Sequence, residues 1–447
     1  MLPTLTELQT ALNKGETTSV KLTQAALERI QAQDGEGARV YTRVYETQAL
    51  AAAQASDLLR AVGPARSPID GLPVSVKDLF DISGDTTLAG STVLKDAPAA
   101  QQNALIVQRL IGAGAVIMGK TNMTEFAFSG LGLNPHYGTP SSPWDRANKR
   151  IPGGSSSGAG VSVADQMAVA AIGTDTGGSV RIPSAFCGLT GFKPTARRIS
   201  QTGALPLSFS LDSIGPLAAS VSCCALLDGI LAGQPRVMPV APALKQLRFA
   251  VPSAVVLDGA DDHVRRTFEQ TLATLQAGGA QVDTIDLPEF QELAFINRQG
   301  GLVCAEAWAW HEKLLEQHAD QYDPRVASRI MRGKNISTPA YIELLQTRSA
   351  WIASLQQRLH HYDALLMPTV PVVAPTIKEL QESDESYFAA NGLILRNPTL
   401  INFFDGCALS IPCHAAGTAP VGLMVAGPAM HDQHILNVGA SIEAALA

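Results

Sequence analysis

The sequence predicts an α/β fold with a large central mixed β-sheet flanked by helices on both faces. Two observations carry that prediction. Short apolar segments of strand length alternate with longer segments of helical periodicity along nearly the whole chain. The chain is also 447 residues long, 46% hydrophobic and 16% charged, so it has the material for a large core and is too apolar to stay disordered. No internal repeat or low-complexity tract breaks the pattern. A single domain over 1–447 is therefore expected, made of an N-terminal helical segment 1–62, a core 63–230 and a remainder 231–447 that completes the sheet.

The elements follow in order. Residues 1–62 read as helical. Ser19 is placed to cap a helix, with Leu22, Ala26, Leu27 and Ile30 on one face. Residues 49–59 continue as an Ala-rich helix. From Pro73 the pattern changes, and Val74-Ser75-Val76-Lys77-Asp78 alternates as a strand does. A helix over 103–111 and a buried strand over 115–118 come next, with Gly112 and Gly114 between them. A Gly/Ser loop over 151–160 runs into a small-residue helix over 159–165, and 167–172 is an apolar strand. Farther on, helices are expected over 221–231, 262–277, 302–318 and 339–361. Strands are expected over 248–251, 281–285, 364–367, 408–411 and 421–425. Residues 381–387 read as a polar loop.

Bulk properties exclude several classes. A net charge of -7, with Lys and Arg scattered, argues against nucleic acid or an anionic membrane as partner. No apolar run is long enough to span a bilayer, and no secretory leader is seen, so a cytoplasmic location is expected. Cys187, Cys223, Cys224, Cys304, Cys407 and Cys413 form no CxxC pair and read as buried thiols. His311, His318, His431 and His434 lack ligand companions at zinc spacing. They read as helix-surface residues, and no metal is expected.

Two segments carry chemistry. Ile151-Pro152-Gly153-Gly154-Ser155-Ser156-Ser157-Gly158-Ala159-Gly160 packs serines among glycines, which let the backbone approach a ligand closely. Gly173-Thr174-Asp175-Thr176-Gly177-Gly178-Ser179-Val180-Arg181-Ile182-Pro183 follows an apolar strand. It should lie at that strand's C-terminal end, where open α/β sheets place their sites. The backbone N–H groups of Thr176, Gly177, Gly178 and Ser179 are the candidates for an oxyanion hole.

With Lys77-Asp78, these segments resemble the amidase signature family. Residues 153–158 resemble its Gly-Gly-Ser-Ser loop, and 173–183 its Gly-Thr-Asp/Gln-x-Gly-Gly-Ser block. Ser155 and Ser179 keep the spacing of its two serines. Residues 71–78 resemble the segment with its lysine, while 114–127 and 420–424 fit further blocks. The resemblance covers about 20–440 and makes 63–230 the catalytic core. It implies Ser179 as nucleophile, Ser155 after a cis Gly154–Ser155 peptide as proton relay, and Lys77 as base. The activity implied is hydrolysis of a carboxylic amide C–N bond without a cofactor. Chemistry asks the same of these residues. A serine hydroxyl needs a base within hydrogen-bond reach, and lysine serves only when burial leaves it neutral.

The resemblance also aligns Phe126-Ala127-Phe128-Ser129 with the loop lining the acyl site, and the two rings suggest an apolar or aromatic acyl group. Ser156 is a further candidate for binding the leaving group. Residues 295–336 and 382–397 are expected to frame the pocket mouth. Asp175, Arg181 and Asp212 read as structural. Arg396 reads as surface in preference to a carboxylate anchor. A small-molecule amide is the expected partner, and a homodimer is compatible with the family. One alternative is the glutaminase subunit of a tRNA-dependent amidotransferase, although 123–133 and 203–212 depart from that branch's pattern. Another is an α/β-hydrolase-type esterase using Ser156, because Gly154-Ser155-Ser156-Ser157-Gly158 satisfies G-x-S-x-G.

Overall fold

Eleven strands form one sheet in a computed structural model that describes residues 2–235 and 237–447. They are β1 (Tyr41–Val44), β2 (Pro73–Lys77), β3 (Val116–Thr121), β4 (Ala170–Asp175), β5 (Thr190–Lys193) and β6 (Ser213–Ala218). The second half of the chain adds β7 (Arg248–Pro252), β8 (Gln281–Ile285), β9 (Ala364–Pro368), β10 (Cys407–Pro412) and β11 (Gly422–Gly427). Their spatial order is β1-β3-β2-β4-β6-β5-β10-β11-β9-β7-β8. The sheet is mixed, as expected. β2 runs parallel to β3 and β4, and β7 runs parallel to β8 and β9, while the strands between are antiparallel.

Burial explains the two central strands that matter most. Every residue of β2 and of β4 is buried, which is what strands covered on both faces require. β2 and β4 are direct neighbours, with Val76 opposite Ile172. Lys77 at the end of β2 and Thr174 near the end of β4 therefore emerge side by side. The helix Ser157–Ala164 packs its small residues against β2 and β4, and its glycines permit the fit. A Cβ on Gly158 would lie 2.4 Å from the Val40 carbonyl oxygen.

Several expectations need correction. Residues 41–44 form an edge strand inside a segment read as wholly helical. β5 and β6 were not anticipated, because Gly215 and Pro216 disguise a central strand. Gly215 is required there, since a Cβ would meet the Phe192 carbonyl oxygen at 2.0 Å. β4 extends past 172 to Asp175. Residues 384–403, expected to begin as loop, form one helix that carries Pro398 internally. His311 is fully buried, not on a helix surface. It bonds Tyr322 Oη at 2.9 Å, and burial pushes its pKa down to about 3. All six cysteines are free, and all but Cys413 are buried. Among the described residues, no helix is long and apolar enough to cross a membrane.

Candidate active site

Lys77 leaves the end of β2 into the protein interior. It is fully buried, and among the described residues no carboxylate forms a salt bridge with it. Its Nζ lies 2.7 Å from Ser155 Oγ and donates to Thr174 Oγ1 at 2.9 Å. Burial lowers its pKa to about 7, against the opposing pull of Asp212 and Asp175. Lys120 on the neighbouring strand shows the other outcome. It is equally buried but pairs with Asp78 at 3.3 Å. Lys77 is thus a buried lysine that sits on a serine hydroxyl without a carboxylate salt bridge among the described residues.

Ser155 is held from its backbone. The Gly154–Ser155 peptide is cis, and Thr124 N donates to Ser155 O at 3.0 Å. Gly154 N donates to Gly130 O at 2.8 Å. No side chain fits at 154, where a Cβ would meet Gly132 N at 2.5 Å. These contacts fix the Ser155 hydroxyl over Lys77.

Ser179 follows β4 in a loop organised by one carboxylate. Asp175 accepts from the backbone amides of Gly178 (2.9 Å), Val180 (3.2 Å) and Arg181 (3.3 Å). It also accepts from Arg181 Nε at 2.9 Å and Nη2 at 2.8 Å, and from Asn402 Nδ2 at 2.9 Å. Arg181 and Asp175 are both completely buried. Burial alone would raise the Asp175 pKa, but Arg181 and the other donors hold it well below the usual carboxylate range. Replacing Asp175 with alanine leaves the Arg181 charge buried without its partner. We expect a stability loss of about 3–5 kcal/mol, read as a lower urea midpoint at unchanged slope.

This network corrects the expected oxyanion hole. The Gly178 amide is spent on Asp175, because a positive φ of 126° at Gly178 turns the loop back on that carboxylate. The amides of Thr176, Gly177 and Ser179 have no protein acceptor among the described residues. The Ser179 hydroxyl likewise has no protein partner among them. Asp212 supports the loop from the other side, accepting from Thr176 Oγ1, Leu207 N and Ser208 N. Burial raises its pKa to about 6, which those donors and Lys77 oppose.

A cavity of about 210 Å³ opens onto Ser179. Ala127, Phe128 and Ser129 line it, as do Thr176 and Gly177. Phe126 does not. Its ring is buried and stacks edge-on to His311 at 4.4 Å, within a cluster that includes Trp310 and Tyr322. A left-handed backbone at Phe126, with φ of 48°, turns that ring into the core. Ser156 is not in the cavity either. Its hydroxyl donates to the Thr174 carbonyl oxygen at 3.3 Å close to Gly173, so the structure does not place it where the leaving-group role or the esterase alternative needs it. Arg396 binds the carbonyl oxygens of Val256 and Asp258, away from the cavity.

Thr174, Arg329, Arg332, Thr399 and Asn402 border this site and were not singled out from the sequence. Thr174 lies within the 173–183 block on β4, whereas the other four come from helices remote in the chain that no local motif marks.

Comparison with known proteins gives one consistent picture. The family model described as Amidase matches residues 21–436. The chain is 37% identical to 2-amino-5-chloromuconic acid deaminase of Comamonas testosteroni, over 89% of this chain and 86% of that one. It is 32% identical to a glutamyl-tRNA(Gln) amidotransferase subunit of Chloroflexus aggregans, over 98% of this chain and 95% of that one. A crystal structure of an amidase superposes with a TM-score of 0.89 at 34% identity, covering 100% of both chains.

Proposed function

The chain belongs to the amidase family and is a hydrolase of C–N bonds, and from that premise we propose that it works through an acyl-enzyme on Ser179, with Ser155 and Lys77 moving the proton. The observation that carries the proposal is the 2.7 Å contact between Ser155 Oγ and a buried Lys77 Nζ whose pKa is lowered to about 7. A neutral Lys77 accepts the Ser155 proton, and Ser155 accepts the proton of Ser179. The Ser179 Oγ–carbonyl carbon bond then forms. Negative charge develops on the carbonyl oxygen, and the unspent amides of Thr176, Gly177 and Ser179 are the donors the loop has left to receive it. Lys77 returns its proton through Ser155 to the nitrogen as the C–N bond breaks. Water repeats the sequence on the acyl carbon and releases a carboxylate. Thr174 Oγ1, at 2.9 Å from Nζ, keeps Lys77 aimed at Ser155 in both charge states.

A small-molecule amide is the substrate. The second reading, a glutaminase subunit, is favoured by the 32% identity to an amidotransferase subunit over 98% of the chain. The two readings separate in one assay. The isolated chain is given glutamine and a panel of primary amides, and released ammonia is measured. Turnover of panel amides by the chain alone is the expected result. Turnover of glutamine only, and only after partner chains are added, would establish the second reading instead.

A further inference from the structure

Asp212 immediately precedes β6, two strands from Lys77 in the order β2-β4-β6. β4 and β6 run antiparallel with Thr174 opposite Ile214. Opposite residues share a sheet face, as do residues two apart on a strand, so Asp212 comes up on the face of Thr174 and Thr176. Its contact with Thr176 Oγ1 confirms this. Thr174 is in turn the second hydroxyl to which Lys77 Nζ donates. Thr174 and Asp212 also line one small chamber of about 10 Å³, room for a single water at most. Apart from Gln201 the rest of its wall is apolar, so little solvent screens a charge there.

The charges packed around this cluster divide unevenly. Two carboxylates act on Lys77, those of Asp212 and Asp175. Asp175 is tied to Arg181, and Asp78 is tied to Lys120. Lys193 on β5 donates to the Pro194 carbonyl oxygen. Glu306, on the helix Gly301–His318, accepts from Ser208, Ser210 and Tyr341, and Arg348 donates to the Ser210 carbonyl oxygen. Asp212 has no cation bonded to it among the described residues, only Thr176 Oγ1 and the Leu207 and Ser208 amides. Lys77 is the cation that acts on it. We propose that Asp212 is a positioning residue of the reaction: across the chamber, its carboxylate steadies the ammonium that Lys77 becomes on taking the Ser155 proton. The inference rests on Lys77 being the base. Asp212 itself passes no proton to the substrate. The structural role read from the sequence is thereby extended, because the side chain that braces Thr176 also tunes the lysine. An anion beside an ammonium favours the protonated form, so removing it makes Lys77 a weaker base.

The test is the pH profile of kcat/KM in Asp212→Asn. An asparagine can keep all three contacts, its oxygen toward the Leu207 and Ser208 amides and its nitrogen toward Thr176 Oγ1. The acid limb should move by about one pH unit to lower pH, and the plateau should fall by about 3- to 30-fold, because the lysine holds its proton less firmly. Asp212→Glu keeps the charge and should leave the limb near its parent position. Glu306→Gln removes a neighbouring buried carboxylate and should not move it either. A limb that stays in place in Asp212→Asn overturns the proposal whatever the plateau does, since a brace alone lowers activity equally at every pH. A shift shared by Glu306→Gln overturns it too. Should Asp212→Asn fail to fold, Lys77→Met gives the reciprocal reading. Infrared titration of that variant against the parent should show one buried carboxyl protonating at higher pH once the cation is gone, and an unchanged carboxyl titration overturns the proposal. A parent profile with no acid limb sinks the Lys77 reading itself, a distinguishable failure.

Discussion

Replacing Ser179 with alanine should lower kcat by about 10⁵- to 10⁶-fold, the scale seen when a serine nucleophile is removed from a working triad. The variant has no oxygen to form the acyl bond, while the loop that carries it stays tied to Asp175 through the Gly178, Val180 and Arg181 amides. Folding should therefore be unaffected, and a thermal scan beside the turnover assay checks this. Ser156→Ala is the internal control. That hydroxyl bonds a backbone carbonyl outside the cavity, so its loss should cost no more than about tenfold. If the two variants lose activity equally, the assignment of the nucleophile fails.

The second large effect falls on Lys77. Lys77→Ala removes the proton acceptor and should lower kcat by about 10²- to 10⁴-fold. Lys77→Arg should be equally poor, because a guanidinium keeps its charge and cannot accept a proton. The pH dependence follows from the same group. Lys77 titrates near 7, so below that pH it is protonated and cannot act as base. In the parent enzyme kcat/KM should fall on the acid side with a limb centred near pH 7 and level off above it. The limb should be absent from the residual activity of Lys77→Ala. A profile flat down to about pH 5 in the parent would rule out a neutral lysine as the working base.

Much of this was legible in the sequence because the informative residues sit close together along the chain. The fold class follows from alternating strand and helix patterns, and β2, β3, β7, β8, β9, β10 and β11 lie where those patterns place them. The small-residue helix after the Gly/Ser loop is likewise where expected. β5 and β6 escaped because glycine and proline in a buried antiparallel strand look like turn residues. The long helix over 384–403 escaped because its polar start and internal Pro398 read as loop. At the site, adjacent β2 and β4 bring Lys77 beside Thr174, and Ser155 reaches Lys77 from the Gly/Ser loop before the helix Ser157–Ala164. The cavity wall was less legible. Whether Phe126 or Phe128 faces it depends on left-handed backbone angles at Phe126 and Ala127 that residue type does not reveal. Arg329 comes from a surface helix far along the chain, and only tertiary packing places it in the same cavity as Ser179. The Gly178 amide looked free in sequence because its acceptor, Asp175, lies within the same loop and competes with any oxyanion.

The central claim is that a neutral Lys77 activates Ser179 through Ser155. The most direct measurement is the rate and position of modification by a fluorophosphonate, mapped by peptide mass spectrometry in the parent and in Lys77→Ala. The account predicts a single adduct on Ser179 in the parent, formed faster as pH rises through about 7, and at least about 100-fold slower labelling in Lys77→Ala. An adduct on Ser156, or Ser179 labelling at the same rate in both proteins, would contradict it.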